Sequence, residues 1–247
     1  MVPTILREMS AAHRTTRGDT RLGVTLAFVA GAVNAGGLLA VGTYTSHMSG
    51  MVSSVADFVA AHQWLAAGLV AVHIAAFFCD SLASAVLINW GRLKHIHSEF
   101  ALPLMIEAAL LLLFGAFAVA GMGHSGVGLN VLISLLCLIM GLQNGLITKI
   151  SHAEIRTTHM TGVITDLGIE AGRFLFGKCV HAETRFDAGK TRRLAWLLAA
   201  FLGGGIVGAL AFKAVGFIAV VPFALALAVI ALMPLIDDLD RTLSPRR

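Results

Sequence analysis

The sequence predicts an all-α, polytopic membrane protein with six transmembrane helices in two inverted three-helix repeats, each half also holding one short broken or interfacial helix. Three observations carry that expectation: long apolar stretches, a one-sided distribution of Lys and Arg, and a short motif that occurs twice. Of the 247 residues 57% are hydrophobic and 13% charged, where a soluble domain carries about 25% charged residues. The mean hydropathy is +0.84. Lipid solvates no open sheet edge, so helices are the element that such a composition builds.

The first apolar stretch, 22–42, follows a basic segment (Arg7, Arg14, Arg17, Arg21). It is longer than the roughly 7–15 apolar residues of a signal peptide, so it is expected to stay as an anchor. Further stretches long enough to span about 30 Å of hydrocarbon run over 64–90, 101–121, 127–148, 195–213 and 215–235. The third and fourth are joined through GMGHSG. The fifth and sixth are joined around Lys213 and Gly216, which predicts a tight antiparallel helical hairpin.

Two segments break this pattern. From Met51 to Ala61 a helix would rise only about 16 Å at 1.5 Å per residue, too short to cross, so it reads as a half-helix or an interfacial helix. In 149–177, Asp166, Glu170 and Arg173 share one helical face while Val163, Ile164, Leu167 and Phe174 take the other, which predicts an amphipathic helix with a solvated charged side. The polar remainder, 178–193, reads as a cytoplasmic linker. The expected organisation is a tail over 1–21, a first repeat over 22–121, a second over 127–235, and a tail over 236–247.

Lys and Arg number 4, 0, 2, 0, 8, 1 and 3 in the successive segments between and around the spans. All but one therefore fall on one side, and the positive-inside rule puts both termini in the cytoplasm. The same placement explains the net charge of +4 without a nucleic-acid partner. Cys79, Cys137 and Cys179 are scattered, with no CxxC and no disulfide framework.

G-x-x-N occurs at Gly31–Asn34 and again at Gly141–Asn144. SHMSG (Ser46–Gly50) and THMTG (Thr158–Gly162) follow them at an offset of 112. Three spans per half turn the second half upside down, and the charge count agrees. Inverted repeats with short helices in matching positions are an architecture of secondary transporters. If each short helix begins at its motif, its unsatisfied N–H groups and positive dipole end lie there, and two such ends could hold an anion or a carboxylate. The plainer alternative is that Ser, Thr and Gly are ordinary N-cap residues and close-packing residues.

The segments 28–50 (FVAGAVNAGGLLAVGTYTSHMSG), 140–150 (MGLQNGLITKI) and 156–173 (RTTHMTGVITDLGIEAGR) resemble the YoaK family of bacterial inner-membrane proteins of unknown function. The resemblance covers nearly the whole chain and implies a six-span protein of the bacterial inner membrane, without a substrate. The family's first motif carries an Asn after its last Gly, where this chain has Met51.

Polar residues inside spans are expensive, so each is a candidate. Asp80 and Glu107 are the two intramembrane carboxylates. His73, Asp80 and Ser84 form a stripe on one helix face that could line a polar path. Glu107 lies near the start of its span, where it either snorkels or bonds a neighbouring helix. The candidate pathway comprises Asn34, His47, Ser49, Gly50, Asp80, Glu107, Gln143, Asn144, Arg156, His159, Thr161, Gly162 and Asp166. Asn34, Gln143 and Asn144 are otherwise helix-to-helix glue. Arg156, Asp166, Glu170 and Arg173 otherwise form an interfacial charge cluster.

HExxH, GxSxG and P-loop signatures are absent. The expectation is a small-solute transporter or channel, without cofactor, metal or enzymatic activity. Its partners would be the bilayer, an unknown small solute and a second copy of the chain. The competing readings are a non-transporting interaction or assembly protein docking through 178–193, and an intramembrane enzyme built on His and Asp. His95 and His97 mark the one spot where a weak metal site was conceivable.

Overall fold

In the computed structural model residues 15–94, 100–124, 126–151, 155–180 and 185–243 are described, with the side chains of 233 and 237–243 excepted. His95 and His97 lie outside them. The described residues are helical with no strand: α1 (Thr16–Val41), α2 (Met48–Ala60), α3 (Trp64–Leu93), α4 (Ala101–Val119), α5 (Gly126–Ile150), α6 (Met160–Val180), α7 (Ala188–Val215) and α8 (Val220–Leu243). Short 3-10 turns, Met122–His124 and Gly216–Ala219, join α4 to α5 and α7 to α8.

Five stretches are long and apolar enough to cross a membrane: α1, α3, α4, α5, and Ala188–Ile236, a 49-residue run that contains α7 and most of α8. The chain is thus a multi-pass, all-helical membrane protein. Where hydropathy alone starts the first and fifth spans at 22 and 195, α1 and α7 begin several residues earlier, because caps set the true ends. Thr15 Oγ1 accepts from Gly18 N–H at 3.1 Å and Asp187 Oδ1 from Lys190 N–H at 2.9 Å, satisfying orphan donors of each first turn. The stretch read as a linker, 178–193, is consequently helical at both ends.

Glycines determine which helices meet. A Cβ on Gly204 would intrude on the Phe28 carbonyl and one on Gly208 on the Ala32 carbonyl. Hence α1 and α7 lie backbone against backbone and, since 28 pairs with 204 and 32 with 208, run in the same direction. Likewise Gly141 lies on the Phe77 carbonyl and Gly145 on Ser81, so α3 and α5 are a second parallel pair. Small residues at such crossings let main chains approach closely, which is how helices associate in lipid. Gly203, by contrast, faces open space.

α4 packs on α8 and α5, α2 on α3, and α6 on α7. The expected hairpin of the last two helices does not form as a packed unit. The chain reverses at Gly216, whose φ of +63° suits glycine. Beyond that turn α7 stays on α1 through its glycines while α8 leaves for α4. The core is a continuous apolar cluster around Leu26, Leu104, Leu111, Phe114, Leu136, Met140 and Leu227.

Candidate functional site

The helix that follows each motif is tied to the helix before it by one asparagine; of these two only α2, with 13 residues, is short, whereas α6 runs for 21 and corrects the expectation of a short helix in the second half. Asn34 Oδ1 on α1 accepts from Ser46 N–H at 3.2 Å and from Ser46 Oγ at 3.0 Å. Asn144 Oδ1 on α5 accepts from Thr158 Oγ1 at 2.9 Å, while its amide donates to the Met140 carbonyl at 2.7 Å. The spaced Asn and hydroxyl of the sequence are therefore a latch that folds the connecting segment back onto its own helix.

The rest of the motif follows from sterics. His47 is the N-cap residue of α2, and its ring occupies the place where a side chain on Gly50 would be; His159, before α6, covers Gly162 in the same way. Both histidines are exposed, as are Ser49 and Thr161. Met51, at the position where the resembled family has Asn, is buried in the core.

Around the second motif, Arg156, His159, Gly162, Val163, Asp166, Leu194 and Leu197 line a pocket of about 270 Å³. Asp166 is held by Lys190 at 3.2 Å. The amphipathic reading of α6 needs one correction here. α6 buries one residue from each face, Val163 and Glu170. Glu170 is fully buried, receives Arg173 Nη1 at 2.7 Å, and accepts the Asp187 N–H at 3.0 Å, while Arg173 itself is exposed. Ile164, Ile169, Phe174, Leu175 and Phe176 are exposed as well. Burying Glu170 satisfies the orphan N–H ahead of α7 with a carboxylate.

Asp187 itself lies outside the apolar runs. The Lys190 backbone N–H holds its carboxyl below the usual range, helped by the charges of Arg193 and Lys190.

A separate polar cluster sits inside the spans. Glu107 on α4 and Gln143 on α5 are both fully buried, and Gln143 Nε2 donates to Glu107 Oε1 at 2.9 Å. Glu107 therefore bonds a neighbouring helix and does not snorkel. Asp80 on α3 is half-buried and within electrostatic reach of Glu107. Glu107 Oε2, Gln143 Oε1, Asp80 Oδ2 and the buried Ser84 Oγ have no hydrogen-bond partner. Two turns before Asp80 along α3, buried His73 lines an apolar groove of about 740 Å³ with Asn130 and Ser134.

The thirteen candidates thus divide. Arg156, His159, Gly162 and Asp166 share one pocket, and Asp80, Glu107 and Gln143 share the intramembrane cluster. Asn34 and Asn144 are latches, each in its own half, while His47, Ser49 and Gly50 at the head of α2 and Thr161 near the head of α6 join neither group. The two motifs head separate helices, α2 on α3 and α6 on α7, and these do not form one joint packing unit.

Sequence reasoning missed Thr45 and Thr157. Both are fully buried with an unpartnered Oγ1, one residue ahead of Ser46 and Thr158. Extending the repeat by one position would have found them, since both copies carry Thr there. Among the described residues no three His, Cys, Asp or Glu side chains lie together as a metal-binding group.

A family model described as a protein of unknown function, DUF1275, matches residues 22–233. It is the same family that the quoted motifs resemble. No curated protein and no solved structure matches the chain.

Proposed function

Since the chain belongs to the DUF1275 family, whose function is unknown, we propose from its site that it is a secondary transporter of a small solute, built from two inverted halves, α1–α4 and α5–α8. The observation that carries this reading is the exchange of partners between halves. α1 packs on α7 and its counterpart α5 packs on α3, the counterpart of α7. α2 packs on α3 as α6 packs on α7, α4 meets its own counterpart α8, and α1 meets α5. The Asn latches and the His-over-Gly caps repeat at matching places. Two parallel pairs, each taking one helix from either half, are units that can rock against each other.

The solute in this reading is a small anion or carboxylate. Arg156 and the N-terminal end of α6 supply positive potential to a pocket of about 270 Å³, which His159 and the Lys190-paired Asp166 also line and which suits a small molecule. The protein has no catalytic centre, lies in the bacterial inner membrane with both termini cytoplasmic, and works as a homodimer. The solute's charge and size, as drawn from this pocket, define the screen.

The test is solute flux into proteoliposomes, followed by light scattering after an osmotic step with acetate, lactate, phosphate or glycerol. Faster entry of at least one anion than in empty liposomes, lost in Arg156→Ala, supports the reading. Traces identical to empty liposomes for the whole panel reject it.

A further inference from the structure

Buried oxygen atoms without partners are rare, because each forfeits hydration. Three of the four acceptor oxygens left over at the intramembrane cluster belong to fully buried side chains: Glu107 Oε2, Gln143 Oε1 and Ser84 Oγ; the fourth is Asp80 Oδ2. Two of the four are carboxylate oxygens. They sit on α3, α4 and α5, all long and apolar enough to cross a membrane. Among the described residues neither Asp80 nor Glu107 has an ion-pair partner. Of the helices packed against α4, α5 offers Gln143 to Glu107, α3 carries Asp80 with His73 two turns before it, and α8 has no titratable residue over 220–236. The nearest lysine on α5, Lys149, is engaged with Asn89 at 3.1 Å.

A pair of carboxylates at this depth without a counter-charge must take up a cation. We infer that Glu107, Asp80 and Gln143 form an intramembrane proton-binding site, with Glu107 as the seat of the proton and Asp80 as its exchange partner. Gln143 spends its amide N–H on Glu107 Oε1, which leaves Oε2 as the atom that gains hydrogen. Protonation turns the carboxylate into a carboxylic acid, whose single O–H can donate to one of the acceptor oxygens left over, Gln143 Oε1 or Asp80 Oδ2. A metal ion would need a shell of several oxygens and room to enter. A proton needs one lone pair, and Glu107 is sealed. Asp80, only half-buried, is the group through which the proton leaves and returns.

As a coupling site for solute movement this cluster rests on the transport reading; as a proton site it does not, and binding is what the experiment reads. Purified protein in phosphatidylethanolamine–phosphatidylglycerol vesicles is compared by infrared difference spectroscopy in acidic and alkaline buffer. The C=O stretch of a protonated carboxylic acid is expected in the wild type and should vanish in Glu107→Gln. Asp80→Asn should keep the band and move the pH at which it disappears. Independently, dicyclohexylcarbodiimide, which attacks protonated carboxyls in apolar surroundings, is mapped by peptide mass spectrometry on the wild-type chain. Modification at Glu107 that falls in alkaline buffer, and is indifferent to replacing choline chloride by sodium chloride, supports the assignment.

Protection by sodium would make this a sodium site and overturn it. So would a wild type without the carboxylic-acid band, or one in which the band survives Glu107→Gln. Should Glu107→Gln fail to fold, the wild-type labelling and its sodium control still decide. Solute flux that fails while proton binding holds would sink the transporter and leave the site standing.

Discussion

Removing the Asn34 latch should loosen the first short helix by a measurable amount. Asn34→Ala deletes the acceptor for both the Ser46 N–H and the Ser46 hydroxyl. The hydroxyl can turn to water because Ser46 is half-buried, which limits its share to about 0.5–1.5 kcal/mol. The backbone N–H cannot turn, so it adds an orphaned-donor penalty of roughly 1–3 kcal/mol. The total is about 1.5–4.5 kcal/mol, or a fall of roughly 3–18 °C in the midpoint for a chain of this length.

Asn144→Ala loses only the Thr158 hydroxyl bond and a local bond to Met140, so its fall should be about half as large. The assay is thermal unfolding of detergent-solubilised protein by tryptophan fluorescence. A cycle of Asn34→Ala, Ser46→Ala and the double variant should show a coupling of about 1 kcal/mol. Additivity within about 0.3 kcal/mol, or a neutral Asn34→Ala, would refute the latch.

Gly141→Ala drives a methyl into the Phe77 carbonyl and should cost about 1–3 kcal/mol. Gly203→Ala, with nothing within 4 Å, should be neutral or stabilising by up to about 1 kcal/mol through helix propensity; the same melts compare them. Glu170→Ala strands the Asp187 N–H and removes the Arg173 pair. A loss of about 1–3 kcal/mol is expected from the N–H, with little from the pair because Arg173 is exposed enough for solvent to screen it. Asp187 has a depressed carboxyl pKa in the fold, so its cap is present at neutral pH and is lost as pH falls through that lowered value. The protection of the Lys190 amide, its exchange rate relative to the intrinsic rate at each pH, should therefore fall in acid in the wild type, and in Asp187→Ala it should be low at every pH.

Much of this was legible in the sequence because lipid imposes few solutions. The apolar runs at 64–90, 101–121 and 127–148 lie within a few residues of α3, α4 and α5, and the duplicated motif marked the starts of α2 and α6, though α6 is not short. Helix starts were hidden because Thr15 and Asp187 cap polar turns that hydropathy ignores. The facing of α6 was only partly legible. Arg173 is exposed and Val163 buried as an amphipathic stripe predicts, whereas Glu170, also on the charged face, is buried because it has a backbone donor to satisfy beside α7. Partner choice was also invisible. Small residues such as the glycines of α7 suit a close helix crossing, but nothing in their spacing says that they meet α1 and not α8. The Glu107–Gln143 bond needed three dimensions, since 36 residues separate its ends.

Opposite orientation of the two halves is the claim on which the account turns. Single cysteines at positions 47 and 159, both exposed, in a chain freed of Cys79, Cys137 and Cys179, can be probed with a membrane-impermeant thiol reagent on sealed spheroplasts and inside-out vesicles. The account predicts labelling of position 47 from the periplasmic side only and of position 159 from the cytoplasmic side only. Labelling of both from one face would contradict it.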